Sequence, residues 1–322
     1  MKNFWQELPK PIYALAPMAG ITDSAFRQIA KQFGADVVYG EMASAAGLVY
    51  NPKKTLALLE FAEIERPYVV QLFGAKPEHF VQALRLVDQK ITARQSGGRP
   101  DGIDINFGCP VKKVARQGAG AVLMNDFKLA REIIKAVLAN TSLPVSIKIR
   151  ARVGTISALD FLKNLADLDI KAVMIHGRTM AQGNSGAVDW KIIKQARPLV
   201  EGVLLANGGV GTRGGASVAR DDARDLLKKT GADGIGIGQG ALGKPWIFEN
   251  VKSQISKVKT KEEIFKIILK HARLVNKLKG DSGIVAMRKH LCWYVSGLPT
   301  ARALREKLVK VENFNDIKKI LR

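Results

Sequence analysis

Eight short runs of β-branched or otherwise apolar residues, each followed by a stretch with helical spacing, constrain this chain more than any other feature. The runs are Ile12 to Ala16, Val37 to Tyr39, Tyr68 to Leu72, Ile103 to Ile105, Val145 to Ile149, Ala172 to Ile175, Val203 to Ala206 and Gly234 to Ile237. Between them, Asp23 to Phe33, Glu78 to Ile91, Phe127 to Ala139, Ala158 to Leu168 and Gly215 to Lys228 place apolar residues at helical intervals. Eight strands with helical crossovers in about 250 residues is the arithmetic of a (β/α)8 TIM barrel, with a doubly wound open sheet as the alternative.

The strand ends decide between the two. Leaving the strands in turn one meets Pro17-Met18-Ala19-Gly20, Glu41, Gln71, Asn106 with Cys109, Lys148, His176 with Arg178, Asn207-Gly208-Gly209, and Gly238-Gln239-Gly240. Polar groups or glycine turns converging from all eight ends suit a barrel mouth and not an open sheet. From about Thr260 the pattern becomes helical only: Glu262 to Leu278, Val285 to Tyr294, Thr300 to Val309 and Asn315 to Leu321. The expected organisation is a catalytic barrel over residues 1–255 and a small all-helical domain over 256–322. The polar stretch Gln95 to Pro100, with Arg94 before it, reads as a flexible surface insertion.

Charge narrows the partners. The 322 residues hold 51 Lys and Arg against 29 Asp and Glu, a formal +22, of which residues 251–322 carry +12 and the first 250 carry +10. An excess of this size favours a polyanion, nucleic acid foremost, over a merely solvated basic surface. Two cysteines, Cys109 and Cys292, make no disulfide framework and stand at no metal-ligand spacing. The polar, proline-containing start and the lack of a spanning apolar run predict a soluble protein of the reducing cytoplasm with no membrane contact.

The chemistry-bearing stretch is Ile103 to Gly120. Its strand breaks at Asn106-Phe107-Gly108-Cys109-Pro110, and Pro110 confines Cys109 to extended or turn geometry. The thiol therefore sits on a loop at a strand's carboxyl end, followed by Lys112, Lys113 and Arg116. In Val145 to Arg150, Ser146 and Lys148 share one face and the apolar residues the other, so Lys148 points into the lumen. A lumenal lysine needs an anion to neutralise. No His or carboxylate cluster supports a metal, and a Schiff base leaves Cys109 without a role. A cofactor that becomes anionic, such as reduced flavin, accounts for both residues. The glycine turns after strands seven and eight are where barrels commonly hold phosphate.

Taken together, Ala16-Pro17-Met18-Ala19-Gly20-Ile21-Thr22-Asp23, Gln71-Leu72-Phe73-Gly74, Asp104-Ile105-Asn106-Phe107-Gly108-Cys109-Pro110, Lys148-Ile149-Arg150, His176-Gly177-Arg178-Thr179 and Asn207-Gly208-Gly209 closely resemble the tRNA-dihydrouridine synthases, nearest the bacterial B-type branch. Met287-Arg288-Lys289-His290 with Trp293-Tyr294 resembles that family's helical domain. The resemblance implies an FMN-bound barrel that reduces the C5–C6 bond of tRNA uridines, with NADPH re-reducing the flavin. By likeness, Pro17, Met18, Ala19 and Gln71 hold the ring, and Lys148 and His176 lie beside ring and substrate. Asn207, Gly208, Gly209, Gly238 and Gln239 hold the phosphate. Cys109 donates the proton and Asn106 positions the uracil. Arg178, Lys112, Lys113, Arg116, Arg288 and Lys289 are expected against the RNA, and the enzyme is expected to be monomeric and free of metal. Gln239 departs from the family's usual arginine, Gly209 from an acidic residue, and Asn184 from an aromatic. A dihydroorotate dehydrogenase-like enzyme acting on a free pyrimidine, and a non-catalytic tRNA-binding protein, are the competing readings.

Overall fold

The eight apolar runs form eight parallel strands closed into one barrel, each hydrogen-bonded to its sequence neighbours and the last to the first. A computed structural model describes residues 3–91, 98–212, 216–253 and 257–322. The strands are β1 (Ile12–Leu15), β2 (Val37–Ser44), β3 (Tyr68–Phe73), β4 (Gly102–Phe107), β5 (Val145–Arg150), β6 (Ala172–His176), β7 (Val203–Asn207) and β8 (Gly234–Ile237). A separate two-stranded hairpin pairs Arg152–Val153 with Ile156–Ser157. The barrel is the expected one. Most strands run one or two residues beyond the apolar runs, and β2 runs five residues on, with an irregular register between Tyr39 and Met42. Glu41, Asn106, His176 and Asn207 at the mouth are therefore strand residues: β4 continues through Asn106 to Phe107 instead of breaking there.

Alternation sorts the two faces of the sheet. Val145, Ile147 and Ile149 of β5 pack outward against the helix layer with Phe161 and Ile133. Ile12, Ala14, Ala16, Val37, Tyr39, Val69, Met174 and Leu205 fill the lumen, and Trp5 of the N-terminal turn plugs its floor. Above that apolar fill the inward positions turn polar, at Gln71, Asp104, Ser146, Asn106 and Lys148.

Helices α1 (Ser24–Gln32), α2 (Pro77–Leu86), α3 (Phe127–Ala139), α4 (Ala158–Lys163), α5 (Trp190–Ala196), α6 (Ala216–Thr230) and α7 (Ile247–Lys252) surround the sheet. Asp23 caps α1, its side chain accepting from the Phe26 N–H, and Asp126 caps α3 in the same way. Helix α4 stops five residues short of the expected Leu168, and the Asn164 carbonyl beyond its end accepts instead from Arg131 of α3. The Arg27 and Glu65 side chains, fully buried, tie α1 to the loop before β3 at 2.5 Å.

After the barrel come α8 (Lys261–Tyr294), α9 (Ala301–Leu308) and α10 (Phe314–Ile320). Gly280, at φ 62° and ψ −156°, breaks α8 into two arms, within the gap expected between Leu278 and Val285. These helices share an apolar cluster with Ala25 of α1 and with Trp246. Lys279 pairs with Asp23 at 2.7 Å, so the break in α8 sits beside the amino end of α1, at the barrel mouth. The expected boundary near residue 255 and the first half of the loop at 95–100, with Arg94, lie outside the described residues. Arg99, which is described, pairs with Asp88 at 2.8 Å. Among the described residues no helix is long and apolar enough to cross a membrane.

Candidate active site

The carboxyl ends of the strands enclose a cavity of about 330 Å³. Pro17, Met18, Ala19, Gln71, Asn106, Cys109, Lys148, His176, Arg178, Asn207, Gly208, Gly209, Gly238 and Gln239 all line it. Met42, Arg150 and Asn184 join them. Thiol and ammonium thus share one hollow. The loop from Pro17 to Gly20 is held from both sides: Thr22 Oγ1 accepts from the Met18 N–H at 3.1 Å, and the Glu41 carboxylate accepts from the Gly20 N–H.

The Cys109 loop is fixed by its own strand. Asn106 Oδ1 accepts from the Gly108 N–H at 3.0 Å and from the Cys109 N–H at 2.8 Å. From the other side Arg150 donates to the Gly108 carbonyl at 2.8 Å and also to the carbonyls of Thr179 and Gly183, joining the loops after β4 and β6. The returning chain passes so close that a Cβ on Gly120 would lie 2.9 Å from the Cys109 carbonyl oxygen, and its φ of 72° suits glycine. Cys109 ends 9% exposed and lines the cavity.

Lys148, Arg150 and Arg178 bring three cations to the wall. Burial and the neighbouring Arg150 guanidinium push Lys148 down to about 8, against the pull of Asp104 and Cys109. Burial is likewise the main reason Arg150 falls to about 10. Burial, then Lys148, Arg150 and Arg178, drive His176 down to about 2, so its imidazole is neutral. Its Nε2 lies 3.4 Å from an Arg178 nitrogen, and Gly208 leaves room for the ring, since a Cβ there would come within 2.9 Å of it. An environment that keeps an imidazole neutral beside three cations suits an anionic ligand.

The glycine turns offer the matching anion cradle. The backbone N–H groups of Gly208, Gly209 and Gln239 have no hydrogen-bond partner among the described residues. The facing wall of Ala16, Met18, Ile237 and Leu242 is apolar. A planar ring bearing a phosphate fits this division of the cavity into apolar wall, cationic wall and amide-lined end. Among the described residues no group of three His, Cys, Asp or Glu side chains could hold a metal ion.

The residues expected against RNA lie in different settings. Lys112, Lys113 and Arg116 are exposed on the turn after Pro110, outside the cavity wall. Arg178 is buried and donates to the Gly186 carbonyl at 2.9 Å, facing the cavity and not the outer surface. Arg288 is half-buried and donates to the Val311 carbonyl at 2.8 Å, which commits its Nε within the helical region. Lys289 is exposed, with its ammonium 3.3 Å from where a Cβ of Gly20 would stand, beside the mouth. Sequence reading gave no role to Asp104 and Arg150. Each is two residues from a chosen side chain, Asn106 and Lys148, so strand parity alone would have placed both on the inner face.

Comparison with known proteins agrees with the sequence motifs. The family model "Dihydrouridine synthase (Dus)" matches residues 14–322. tRNA-dihydrouridine synthase B of Pseudomonas syringae pv. tomato is 33% identical over 307 residues, 93% of this chain and 87% of the relative. A probable tRNA-dihydrouridine synthase of Rickettsia bellii is 33% identical over 90% of this chain and 87% of its own. Among solved structures, histamine dehydrogenase from Rhizobium sp. 4-9 superposes with a TM-score of 0.54 at 11% identity, covering 81% of this chain and 48% of that one. Morphinone reductase does so at 0.50 and 12%, covering 76% and 87%. These two share the fold alone; the family model and the curated relatives go further, and by them this chain is an enzyme of the dihydrouridine synthase family.

Proposed function

We propose that this chain is a tRNA-dihydrouridine synthase that binds FMN in the barrel mouth and, with NADPH as reductant, reduces the C5–C6 bond of uridines in tRNA. The observation that carries the reading is the meeting of Cys109 and Lys148 in one cavity, with the partnerless amides of the β7 and β8 turns at its end. FMN, when bound, supplies the hydride that adds at C6 of the uracil. Everything else falls to the chain.

Pro17, Met18, Ala19 and Gln71 form the wall against which the ring lies, and Gly208, Gly209, Gly238 and Gln239 cradle the phosphate through backbone N–H groups. Lys148 stabilises negative charge in the cavity, and its lowered affinity for a proton rises again once an anion arrives. Addition at C6 leaves enolate-like charge on the uracil, and the Cys109 S–H quenches it by donating a proton at C5. The resulting thiolate takes a proton back from solvent. A positioned acid of this kind contributes about 10²- to 10⁴-fold. Asn106, whose Oδ1 holds the Cys109 loop, keeps the sulfur on the cavity side. A stacked base must leave its stack to reach so enclosed a site, and Lys112, Lys113, Arg116 and Lys289 around the mouth suit the phosphates on either side of it.

The test is conversion of unmodified tRNA by purified protein with FMN and NADPH, read by mass spectrometry of dihydrouridine. Cys109→Ala should bind FMN as the parent does and convert tRNA at least 10²-fold more slowly. A parent that binds FMN yet leaves every uridine unreduced, or a Cys109→Ala variant as fast as the parent, overturns the reading.

A further inference from the structure

We propose that Asp104 is a positioning residue: its carboxylate ends a one-way chain of hydrogen bonds that fixes how Gln71 and Asn106 face the cavity and so holds the Cys109 loop. The chain can be followed from its top. The N–H groups of Gly108 and Cys109 are backbone donors and cannot turn round, so the Asn106 atom facing them is Oδ1. Its Nδ2 therefore faces Gln71 and donates to Oε1 at 2.9 Å. Gln71 then presents Nε2 to Asp104, donating to Oδ2 at 2.7 Å. The other carboxylate oxygen accepts from Ser146 Oγ at 2.6 Å.

Each link dictates the next. Turning either amide alone sets donor against donor at one end and acceptor against acceptor at the other. The foot of the chain must consequently accept from Gln71, and Asp104 does so from a position shut off from bulk solvent. Asp104 is fully buried, Gln71 and Ser146 are 1% exposed and Asn106 6%. Strand register makes the row, pairing Gln71 with Asp104 and Asp104 with Ser146 across β3, β4 and β5. Groups so deeply buried lose heavily when a partner is removed, and in a low-dielectric lumen the whole row is coupled.

Burial raises the Asp104 carboxyl to about 6, against the hydrogen bonds from Ser146 and Gln71 and the charge of Lys148. The role inferred here needs an acceptor and not a charge. An amide at position 104 can turn its oxygen to Gln71 and its Nδ2 to the Ser146 hydroxyl, which is free to rotate toward the Ile103 carbonyl 3.5 Å away. The inference rests on the reading of Gln71 and Cys109 as site residues, but its first measurement needs no cofactor.

That measurement is hydrogen exchange at the Gly108 and Cys109 amides in protein stripped of flavin. Asp104→Asn should exchange within twofold of the parent. Asp104→Leu, which removes the acceptor, and Gln71→Met, which cuts the chain in the middle, should both accelerate the two amides at least tenfold. If Asp104→Leu does not fold, Gln71→Met and Asp104→Asn carry the decision. Equal exchange in parent and Gln71→Met, or an Asp104→Asn variant as fast as Gln71→Met, overturns the inference. FMN affinity, measured separately, should weaken about tenfold in Asp104→Leu and less than twofold in Asp104→Asn. A parent that takes up no FMN would sink the proposed function while leaving the exchange result to judge the relay.

Discussion

Two imidazoles seal the contact between the barrel and the helices that follow it, and replacing one gives a stability difference that grows as pH falls. His271 and His290, 1% and 4% exposed, lie on α8 against Phe26 of α1, with ring centroids 5.7 and 5.1 Å from it. Burial holds His271 down to about 4, Lys279 adding to the effect and Asp23 opposing it. Burial, then His271, hold His290 down to about 3, with Asp23 again opposing and Lys289 and Lys279 adding. Both are neutral in the folded protein at pH 5, whereas in the unfolded chain an imidazole titrates near 6.5. A base held below its ordinary value contributes its full stability above about 6.5 and loses it as pH falls toward the folded value. At pH 5, about 1.5 units below, each imidazole has forfeited about 2 kcal/mol. In His290→Leu that loss is absent for one of the two, and so is a buried Nδ1 with no partner among the described residues. The variant should match or exceed the parent at pH 7.5 and gain a further ~2 kcal/mol on it by pH 5. Asp104, raised to about 6, gains stability as pH falls, and His176 loses it, but both are common to the two proteins and cancel. Urea unfolding followed by tryptophan emission reads the relevant region, since Trp293 lies 5.2 Å from His290 and Trp246 packs in the same cluster. Parallel pH profiles for parent and variant would refute the assignment of the buried neutral imidazole.

Lys148 supplies a direct spectroscopic check. With lysine labelled at the ε-carbon, one resonance should titrate near pH 8, well below the value of about 10.4 of a lysine in a model peptide, and it should vanish in Lys148→Met. In Asp104→Asn the same midpoint should fall, because the carboxylate that favours the ammonium is gone; an unmoved midpoint would break the coupling of the two groups. Gly120→Ala forces a Cβ to 2.9 Å from both the Cys109 carbonyl and Val114 Cγ1 at a positive φ. It should destabilise the protein by about 2 kcal/mol and speed alkylation of Cys109 by iodoacetamide, and unchanged melting and alkylation would count against the close-packed loop.

The barrel was legible because its strands are short, apolar and separated by amphipathic stretches, and because Gly280 and Gly283 mark the break in the long helix. Strand ends were harder to read. At the mouth of a barrel the inward residues are polar, so a search for apolar runs stops where the strand begins to carry function. Val37 to Tyr39 covers under half of β2, and Ile103 to Ile105 half of β4, for this reason.

The site was legible wherever a residue type is improbable in a lumen, as with Lys148, or improbable in a ladder, as with Cys109 followed by Pro110. Asp104 announces itself in neither way. Within Ile103 to Ile105 it looks like one polar residue on a strand, on the face it shares with Asn106 and with no partner named. Its meaning depends on what stands beside it on β3 and β5, and that follows from the stagger of the strands, which no local pattern specifies. Parity along one strand assigns Asp104 and Asn106 to the same face; only register assigns them Gln71 and Ser146 as neighbours. Once the row is assembled, the fixed backbone donors of Gly108 and Cys109 at its top leave a single orientation for each amide below. A carboxylate at its foot is the group that completes it without a donor to spare.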